Sequence, residues 1–549
     1  MKKKYMPAFL VCLLILVLAV AGGAVHVISK YIPTKDCMDL NEYYGQVAEG
    51  EAALILGTEK LEQRGIISGE EGYLPLGVVN TYLNQRYYWD AESQQILYVT
   101  PSEVTSMPAS LEAGSEVWLR DGTVYLSLSY IRQYTDLDTY IYENPGRIAI
   151  QYQFSDVNTV TAKKDTYVRF RGGIKSEVLA KVKKGTNLIL MEELEDWSQV
   201  ATMDGYIGYV QKKAVSQPEK RTFERQFSRE EYNYIKMEQP VNLVWHQVTN
   251  MEANAGFADA TANMTGVNVI SPTWYSIIDN EGNISSLASS DYVAQAHEKG
   301  LQVWGLVDNF NENISTTEIL SRTSSRQNLV RQLVDAALSA GLDGINIDFE
   351  YLEEAVGIHF LQFLRELSVE THKNNLVLSV DNPVPEDFTS HYDRAEQGRV
   401  VDYVIIMGYD EHYVGSEEAG SVASLPWVEK GIQDTLAEVP AERVINAVPF
   451  YSRLWKTLTG TLSSEAIGMG QVQEVISKYK VETYWDKNTS QNYGTFENEG
   501  AEFQIWIEDA QSIAEKVKLS SKYNLAGVAA WKLGFESSDV WKAISDNLK

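Results

Sequence analysis

Eight short apolar runs alternate with helical stretches over residues 235–549. Runs that are apolar at nearly every position are typical of parallel strands buried on both faces. One stretch between them, residues 326–340, repeats apolar residues at helical spacing, and Gly341 marks its end. Strands that alternate with helices in this way predict a (β/α)8 TIM barrel. The predicted strands are residues 241–245, 267–270, 301–307, 344–351, 376–380, 403–407, 444–448 and 527–531.

The fourth run, residues 344–351, is apolar on one face only. Alternate side chains of a strand share a face, so Asn346, Asp348 and Glu350 point one way and the apolar residues between them point the other way. Buried carboxylates are costly unless they are paired or functional. The pattern therefore predicts polar residues that face the barrel interior and lead to an active site at the C-terminal end of the strand.

The segment between the seventh and eighth predicted strands, about residues 458–512, is too long for a simple crossover. Its aromatic runs at residues 484–486 and 504–509 indicate a small α+β insertion that forms one wall of the cleft.

Two smaller β-rich regions precede the barrel. Residues 49–152 contain short strand-like and helical pieces, with similar Leu-x-Leu segments at 74–76 and 126–128 that indicate an internal duplication. Residues 156–217 have a compact all-β pattern with a turn at Gly185. We expect a multidomain protein, in which a small α+β domain and a small all-β barrel precede the TIM barrel.

An apolar run without Asp, Glu, Lys or Arg covers residues 6–28 and follows lysines at positions 2–4. Roughly 20 apolar residues span a bilayer, and flanking lysines keep their end in the cytoplasm. We expect residues 1–30 to form a signal anchor, a transmembrane helix that holds an extracytoplasmic catalytic domain at the cell membrane. The alternative is a signal peptide cleaved near the small residues 19–24, which would release a secreted protein.

Composition narrows the classes of partner. A net charge of −28 argues against binding to nucleic acid, whose phosphates would be repelled. The only cysteines are Cys12 and Cys37, so neither a disulfide scaffold nor a cysteine metal site is available.

The fourth run resembles the signature of family 18 glycoside hydrolases, the chitinase-like family, written Asp-Gly-x-Asp-x-Asp-x-Glu. Asp343, Gly344, Asp348 and Glu350 match it, and Asn346 stands where the middle Asp is usual. Further family features, in the expected order, are the Met-x-Tyr-Asp run at 407–410, Pro-x-Tyr at 449–451, Gln-Ile-Trp at 504–506 and the tryptophan that ends strand eight. Residues 235–549 look similar to the wall- and spore-associated N-acetylglucosaminidase members.

The two smaller regions carry weaker resemblances. Residues 156–217 resemble a bacterial Src-homology-3-like (SH3) domain through the runs at 196–200 and 205–210, and such domains often bind cell-wall peptides. Trp197 and Tyr209 could form either a binding groove or the core of that small barrel. Residues 49–152 resemble the domain named after the N-terminal domain of copper amine oxidases, but they contain no histidine and predict no copper.

The family resemblance implies hydrolysis assisted by the substrate itself. By position, Glu350 is the general acid, Asp348 holds the N–H of the sugar's 2-acetamido group, and Tyr409 donates to its oxygen. Asp410 would bind the sugar, and Trp531 would form the apolar floor under it. No metal or organic cofactor is expected.

Other residues are candidates for sugar contacts by position, with core packing as the alternative for each. They are Tyr451, Arg453 and Trp506, together with Trp274, Trp304 and Trp455. Asp343 is expected to be structural. In many relatives two neighbouring Asp residues share a proton. Asn346 cannot titrate, so we assign it to the substrate-binding set and predict that it anchors Asp348 by a hydrogen bond and simplifies the pH profile.

The leading hypothesis for function is retaining hydrolysis of β-1,4 bonds after N-acetylglucosamine in peptidoglycan, as in a cell-wall or spore-cortex lytic N-acetylglucosaminidase. A chitinase or chito-oligosaccharide hydrolase is the near alternative because its chemistry is identical. A lectin-like wall protein that binds glycan without cleaving it is the third reading, and the intact Glu350, Asp348 and Tyr409 argue against it. Each reading makes an N-acetylglucosamine-containing glycan the partner.

Overall fold

The computed structural model describes residues 6–228 and 230–549, without the side chains of residues 6–8, 19 and 21–28. The chain forms two compact units. The first comprises most of the residues before position 229, and the second comprises residues 230–549 with the short segments 90–93 and 97–105.

The first unit begins with two helices, α1 (Met6–Tyr31) and α2 (Leu40–Tyr44). In α1, the large apolar side chains between Phe9 and Leu18 are between 46% and 68% exposed. Among the described residues, no helix combines the length and the apolarity needed to cross a bilayer. Residues 1–5 and most side chains of 19–28 in the predicted anchor lie outside the described part, so the anchor stays a prediction.

Residues 51–151 contain ten strands and two helices. Seven strands form a mixed sheet in the order β7-β8-β3-β2-β1-β10-β9, in which β1 and β10 are parallel, and β4, β5 and β6 form a second sheet. Both Leu-x-Leu segments join a strand to a helix. The elements are β1 (Glu51–Leu56), β2 (Glu59–Ser68), β3 (Glu71–Pro75), α3 (Leu76–Tyr82), β4 (Tyr88–Asp90), β5 (Gln95–Val99), β6 (Val104–Pro108), β7 (Val117–Arg120), β8 (Thr123–Ser127), α4 (Leu128–Tyr134), β9 (Asp138–Glu143) and β10 (Gly146–Gln151).

An antiparallel sheet follows, in the order β13-β12-β16-β15-β14-β11-β17. Its buried residues share one hydrophobic cluster with Tyr43 and Tyr44 of α2 and with Ile55 and Ala149 of the preceding sheet. The resemblances to an SH3-like domain and to the amine-oxidase domain stay predictions. The strands are β11 (Val157–Thr161), β12 (Thr166–Arg169), β13 (Val178–Val182), β14 (Asn187–Glu193), β15 (Trp197–Ala201), β16 (Ile207–Gln211) and β17 (Glu219–Arg221).

The second unit contains a closed barrel of eight parallel strands, which confirms the predicted TIM barrel. Each strand pairs with the next, and the eighth pairs with the first. The strands are β18 (Val241–His246), β19 (Val269–Ile277), β21 (Gln302–Asp308), β22 (Gly344–Asp348), β23 (Val377–Pro383), β24 (Tyr403–Met407), β25 (Val444–Pro449) and β31 (Gly527–Trp531); β20 (Ile284–Ser286) pairs antiparallel with β19.

Helices surround the barrel. The outer faces of the strands pack on them in a large hydrophobic cluster that includes Ile345 and Ile347 of β22. The helices of this unit are α5 (Met251–Ala255), α6 (Phe257–Ala260), α7 (Ser290–Glu298), α8 (Thr316–Ser321), α9 (Thr323–Ala340), α10 (Gly357–Lys373), α11 (Arg394–Val400), α12 (Leu425–Leu436), α14 (Ala510–Tyr523) and α15 (Val540–Asn547).

Three predicted strand ends were wrong by three residues or more, among them that of the fifth strand, which was predicted to end at residue 380 and continues to Pro383. The second strand, predicted over residues 267–270, continues to Ile277, because its polar residues face hydrogen-bonding partners in the interior; Ser271, for example, contacts Asn346. The fourth strand, predicted to reach residue 351, ends at Asp348. The polar residues made the predicted second strand too short, and the acidic motif made the predicted fourth strand too long.

A five-stranded antiparallel sheet and one helix lie between the seventh and eighth barrel strands. They begin at Tyr451, seven residues before the predicted start near residue 458, because the chain passes from β25 almost directly into β26. The elements are β26 (Tyr451–Leu458), β27 (Thr461–Gly468), α13 (Met469–Tyr479), β28 (Thr483–Asp486), β29 (Gln491–Asn498) and β30 (Ala501–Ile507).

Closure of the barrel depends on a glycine. Gly527 of β31 lies opposite Val241 of β18, where the last strand meets the first. A Cβ atom at Gly527 would lie 2.0 Å from the carbonyl oxygen of Val241. Only glycine therefore permits this approach of the two backbones.

We expect Gly527→Ala to lower the free energy of unfolding of the barrel by at least about 2 kcal/mol, because β18 must move to admit the added carbon. The measurement is the midpoint of urea unfolding, followed by tryptophan fluorescence. Gly470→Ala in α13 is the matched control, since no atom lies within 4 Å of its added Cβ. Equal midpoints for the two variants would contradict this account of closure.

Candidate active site

The fourth barrel strand carries polar residues into the barrel interior, as its alternation predicted. Asn346 and Asp348 of β22 are buried there, with exposures of 0% and 7%. Ile345 and Ile347 pack on the outer side against the helices. Asp348 is the last residue of the strand, so its carboxyl group lies at the C-terminal mouth of the barrel.

Glu350 lies in the loop after β22, where a side chain, rather than a neighbouring strand, binds its backbone. The pairing of β21 with β22 ends at Asp308 and Asp348. Beyond that point, Asn309 Nδ2 donates to the carbonyl oxygen of Glu350 at 3.0 Å, and the backbone N–H of Glu350 donates to Asn309 Oδ1 at 3.0 Å. One amide side chain thus satisfies both backbone groups of Glu350 and fixes where its carboxyl group starts.

Asn346 lies below the mouth, and its role differs from the prediction. It binds four neighbours across the barrel interior: Trp245 Nε1 at 2.9 Å, Ser271 Oγ at 3.3 Å, Ser379 Oγ at 3.0 Å and Asp381 Oδ1 at 2.8 Å. The predicted bond to Asp348 is not among them. Asn346 is also fully buried, and its assignment to the substrate-binding set stays a prediction.

A cavity of about 160 Å³ opens at this end of the barrel. Six of the predicted site residues line it, namely Asp348, Glu350, Tyr409, Asp410, Tyr451 and Trp531. Four further residues, which were not among the predicted site residues, complete the wall, namely Trp245, Phe310, Asp381 and Met407.

Burial and mutual repulsion raise the pKa values of the carboxyl groups in the cavity. Burial raises the pKa of Asp348 well above its ordinary value, and the negative charges of Asp381 and Glu350 raise it further. The pKa of Glu350 is also raised, first by burial and then by the charge of Asp410. A carboxyl group with a raised pKa keeps its proton to higher pH, which is what a general acid requires.

Tyr409 and Asp410 follow β24 and meet the first strand of the inserted sheet. The Tyr451 hydroxyl donates to Asp410 Oδ1 at 2.7 Å, and the rings of Tyr409 and Tyr451 pack edge to face at 6.3 Å. Arg453 lies behind them, with Nη2 at 3.8 Å from Asp410 Oδ1 and Nη1 donating to Ser464. Arg453 is thus next to the site without lining the cavity, and its predicted contact with the sugar is replaced by one with Asp410.

Of the tryptophans predicted to contact sugar, one lines the cavity and the others pack elsewhere in the protein. Trp531 lines the cavity, and its ring lies 6.0 Å from that of Trp245. Trp506 does not line the cavity; its ring packs on Tyr493 of β29 at 4.7 Å. The other candidates are core residues whose indole N–H groups bind inside the protein: Trp274 to Asn254, Trp304 to Gln302 and Trp455 to the carbonyl oxygen of Gly420.

The sequence did contain a signal for Asp381. The fifth strand was predicted to end at Val380, but it continues to Pro383, and Asp381 lies on the same face as Ser379. Extending the alternation by two residues would have found it. Asn309 and Phe310 follow a strand without a recognised motif, so only the three-dimensional structure assigns them.

Asp343 has the structural role that was predicted for it. Its Oδ2 accepts from the backbone N–H of Val303 at 2.8 Å and lies 2.8 Å from Nε2 of His297. Asp343 immediately precedes β22 and is therefore at the opposite end of that strand from Asp348.

A larger groove of about 500 Å³ adjoins the cavity, and Glu350 and Phe310 line both. Its walls are the loops after β21 and β22, which carry mostly polar side chains, among them Asn311, Glu312 and Glu353. Glu350 therefore lies on the wall between a small site with an aromatic floor and a wider polar groove. That is where an acid must be to protonate the atom that joins two bound groups.

The described side chains do not form a metal site. Over residues 6–228 and 230–549, no group of three or more His, Cys, Asp or Glu side chains is arranged to hold a metal ion. The residues that line the cavity supply protons, hydrogen bonds and apolar surface. This set of groups is suited to general acid–base catalysis on a neutral polar substrate.

Comparison with known proteins gives the family. The model of the family described as "Glycosyl hydrolases family 18" matches residues 207–536, which is more than half of the chain. The uncharacterized glycosylase YvbX of Bacillus subtilis (strain 168) is 26% identical over 308 residues, which cover 54% of this chain and 89% of that protein.

The cortical fragment-lytic enzyme of the same organism is 26% identical over 237 residues, which cover 42% of this chain and 55% of that enzyme. This chain therefore spans only about half the length of that relative.

Solved structures share the fold. The chitinase from Chromobacterium violaceum ATCC 12472 aligns with a TM-score of 0.51 and 24% identity, over 56% of this chain and 98% of that one. The spore cortex-lytic enzyme SleL from Bacillus megaterium QM B1551 aligns with a TM-score of 0.51 and 19% identity, over 60% and 77%. Together with the family match and the carboxyl groups at the mouth of the barrel, these findings identify the chain: it belongs to glycosyl hydrolase family 18 and is a chitinase-like glycoside hydrolase.

Proposed function

We propose that this enzyme hydrolyses β-1,4 bonds after N-acetylglucosamine in peptidoglycan, with retention of configuration. The observation that carries the proposal is the position of Glu350, a carboxyl group with a raised pKa on the wall between the aromatic-floored cavity and the polar groove. An N-acetylglucosamine over Trp531 and the leaving sugar in the groove would place the bond between them next to this acid.

The nucleophile in this proposal is the substrate's own 2-acetamido oxygen. Asp348 is buried and its pKa is raised well above the ordinary value, so it is a poor anionic nucleophile at neutral pH. Its Oδ1 atom has no hydrogen-bond partner among the described residues, which leaves it available to accept from an acetamido N–H. Tyr409 lines the same cavity and would donate to the acetamido oxygen.

The steps balance as the hydrolysis of one bond. Glu350 gives its proton to the glycosidic oxygen as that oxygen leaves the anomeric carbon, and the acetamido oxygen forms a bond to the same carbon. A water molecule then adds to the anomeric carbon and gives a proton to Glu350. The bond between that carbon and the acetamido oxygen breaks, which opens the five-membered ring formed in the first step. Two displacements at one carbon give net retention.

Peptidoglycan is the favoured glycan for two reasons. Two relatives are named for cortex lysis, the cortical fragment-lytic enzyme and SleL, and the groove beside Glu350 is polar and open. Chito-oligosaccharide hydrolysis is the second candidate, because another relative is named probable chitinase 2 of Drosophila melanogaster. A lectin that only binds glycan would not need an acid with a raised pKa at the position of Glu350.

The proposed location is the outer side of the cell membrane. A helix whose large apolar side chains are exposed between Phe9 and Leu18 is poorly suited to water, and a bilayer would cover it. We place the anchor at residues 1–30, or a cleaved signal there, and assign the β-rich first unit to contact with the wall.

We expect Glu350→Gln to reduce hydrolysis by about 10²–10⁴-fold, because the amide cannot protonate the leaving oxygen. The full chain and the variant would each digest purified peptidoglycan and chito-oligosaccharides, and mass spectrometry would identify the new reducing ends. Reducing N-acetylglucosamine from peptidoglycan, lost in the variant, is the predicted result.

Three other outcomes would change the assignment. Cleavage of chito-oligosaccharides alone would make the enzyme a chitinase, and reducing muramic acid ends would contradict the proposed bond. Equal activity of Glu350→Gln and the unchanged protein would remove Glu350 from the role of acid.

We expect Asn309→Ala to lower kcat by roughly 100-fold with little change in KM, because an acid displaced by even 1 Å protonates poorly. The measurement is steady-state hydrolysis of the substrate that the digestion identifies. Asn313→Ala is the matched control, an exposed amide in the same loop whose one hydrogen-bonding partner among the described residues is Asn311. A loss confined to KM, or an equal loss in the control, would rule out positioning of Glu350 by Asn309.

A further inference from the structure

Three carboxyl groups lie side by side on neighbouring barrel strands. Asp308 of β21 pairs in register with Asp348 of β22. On the other side, Ile347 pairs with Val380 of β23, so the next residues along, Asp348 and Asp381, are also neighbours. Adjacent strands are about 4.8 Å apart, so the three residues form a short row across the mouth of the barrel. We call Asp308, Asp348 and Asp381 the acidic row.

The members of the acidic row differ in their hydrogen bonds. Asp308 has two donors, the Ser276 hydroxyl at 2.8 Å and the backbone N–H of Phe310 at 3.1 Å, so it can carry a charge. Asp381 has the Asn346 amide at 2.8 Å, whereas Oδ1 of Asp348 has no partner among the described residues. The uncompensated oxygen therefore lies between two other carboxyl groups.

Such a row cannot be fully ionised. Asp348 and Asp381 are 7% and 2% exposed, and like charges at this separation in a poorly solvated site repel strongly. The pKa of Asp381 is raised well above its ordinary value by burial, and Glu350 adds to the rise while the Asn346 amide opposes it. Burial and mutual repulsion therefore favour a proton on the row, and its least compensated members are Asp348 and Asp381.

We propose that Asp381 shares one proton with Asp348 and thereby acts as the second carboxylate that position 346 cannot provide. Asp381 is then a positioning residue that acts through Asp348. The pair keeps a single negative charge close to the anomeric carbon, where positive charge develops, and one oxygen of Asp348 remains free to accept from the acetamido N–H. This inference rests on the proposed function, because it assigns Asp348 a substrate.

Other titratable groups face the pair and contribute to its behaviour. From the neighbouring elements these are Asp308, Glu350, Tyr392, Tyr409, Asp410 and Tyr451. Asp308 and Glu350 raise the cost of negative charge on the pair, whereas the tyrosines stay neutral because burial raises their pKa values. The amide at position 346 thus simplifies the pH profile less than its inability to titrate suggests.

The test replaces Asp381 by its isostere. Asp381→Asn keeps an oxygen to accept from Asn346 and removes the shared proton's second site. We expect the acid limb of kcat/KM to move about 1 pH unit higher, because the negative charge on Asp348 loses the shared proton that stabilised it, so Asp348 is protonated more easily. Glu298→Gln, which removes an exposed carboxylate at the end of α7, is the control and should leave the limb in place.

Two further measurements separate proton sharing from damage to the fold. In the double variant Asn346→Asp and Asp381→Asn, the second carboxylate returns one position lower in the interior, and the acid limb should move back. Infrared spectra of the resting protein should contain the carbonyl band of a protonated carboxylic acid that Asp381→Asn weakens, whether or not any glycan is cleaved.

The outcomes are therefore distinct. An unchanged limb and an unchanged infrared band in Asp381→Asn would overturn proton sharing, and so would a limb that the double variant does not restore. Failure of the unchanged protein to cleave any N-acetylglucosamine glycan, with the infrared band present and lost in Asp381→Asn, would overturn the proposed function alone.

Discussion

The repulsion among several carboxyl groups, which lie close together and poorly solvated at one end of the barrel, is the constraint on which this structure depends. Asp308, Asp348, Asp381 and Glu350 lie near the mouth of the barrel, and the other three raise the cost of ionising Asp348. The surrounding residues reduce that cost with few hydrogen bonds. Ser276 binds one member, and the amide of Asn346 binds another while its oxygen is held by an indole.

The inserted sheet is held to the barrel by a second buried charge. Glu508, just after β30, pairs with Lys516 of α14 at 2.9 Å, and both side chains are fully buried. The backbone N–H of Glu508 also donates to Ser452 at 2.8 Å, next to the Tyr451 that binds Asp410. A buried pair of this kind stabilises little by itself, but it fixes the register of the elements that carry it. The insertion thus determines where Asp410 points as well as forming a wall.

Much of the barrel could be predicted from the sequence, because parallel strands buried on both faces are apolar and β22 alternates strictly. The acid, its aspartate neighbour and the tyrosine and tryptophan around them were found through motifs at strand ends. Asp381 was missed because its strand was ended three residues early, at Val380. The hydrogen bonds of Asn346 and the support of Glu350 by Asn309 depend on which strands are neighbours, and a single sequence does not encode that pairing in any local pattern.

The central claim is that the substrate's acetamido group, rather than a protein carboxylate or a directly attacking water, displaces the leaving sugar. The most direct measurement is proton NMR of the anomeric signals while the full chain cleaves an N-acetylated oligosaccharide. The β anomer of the new reducing end should appear first and equilibrate slowly, and the same oligosaccharide without its acetyl groups should not be cleaved. The α anomer as the first product, or equal cleavage of the deacetylated sugar, would contradict the account.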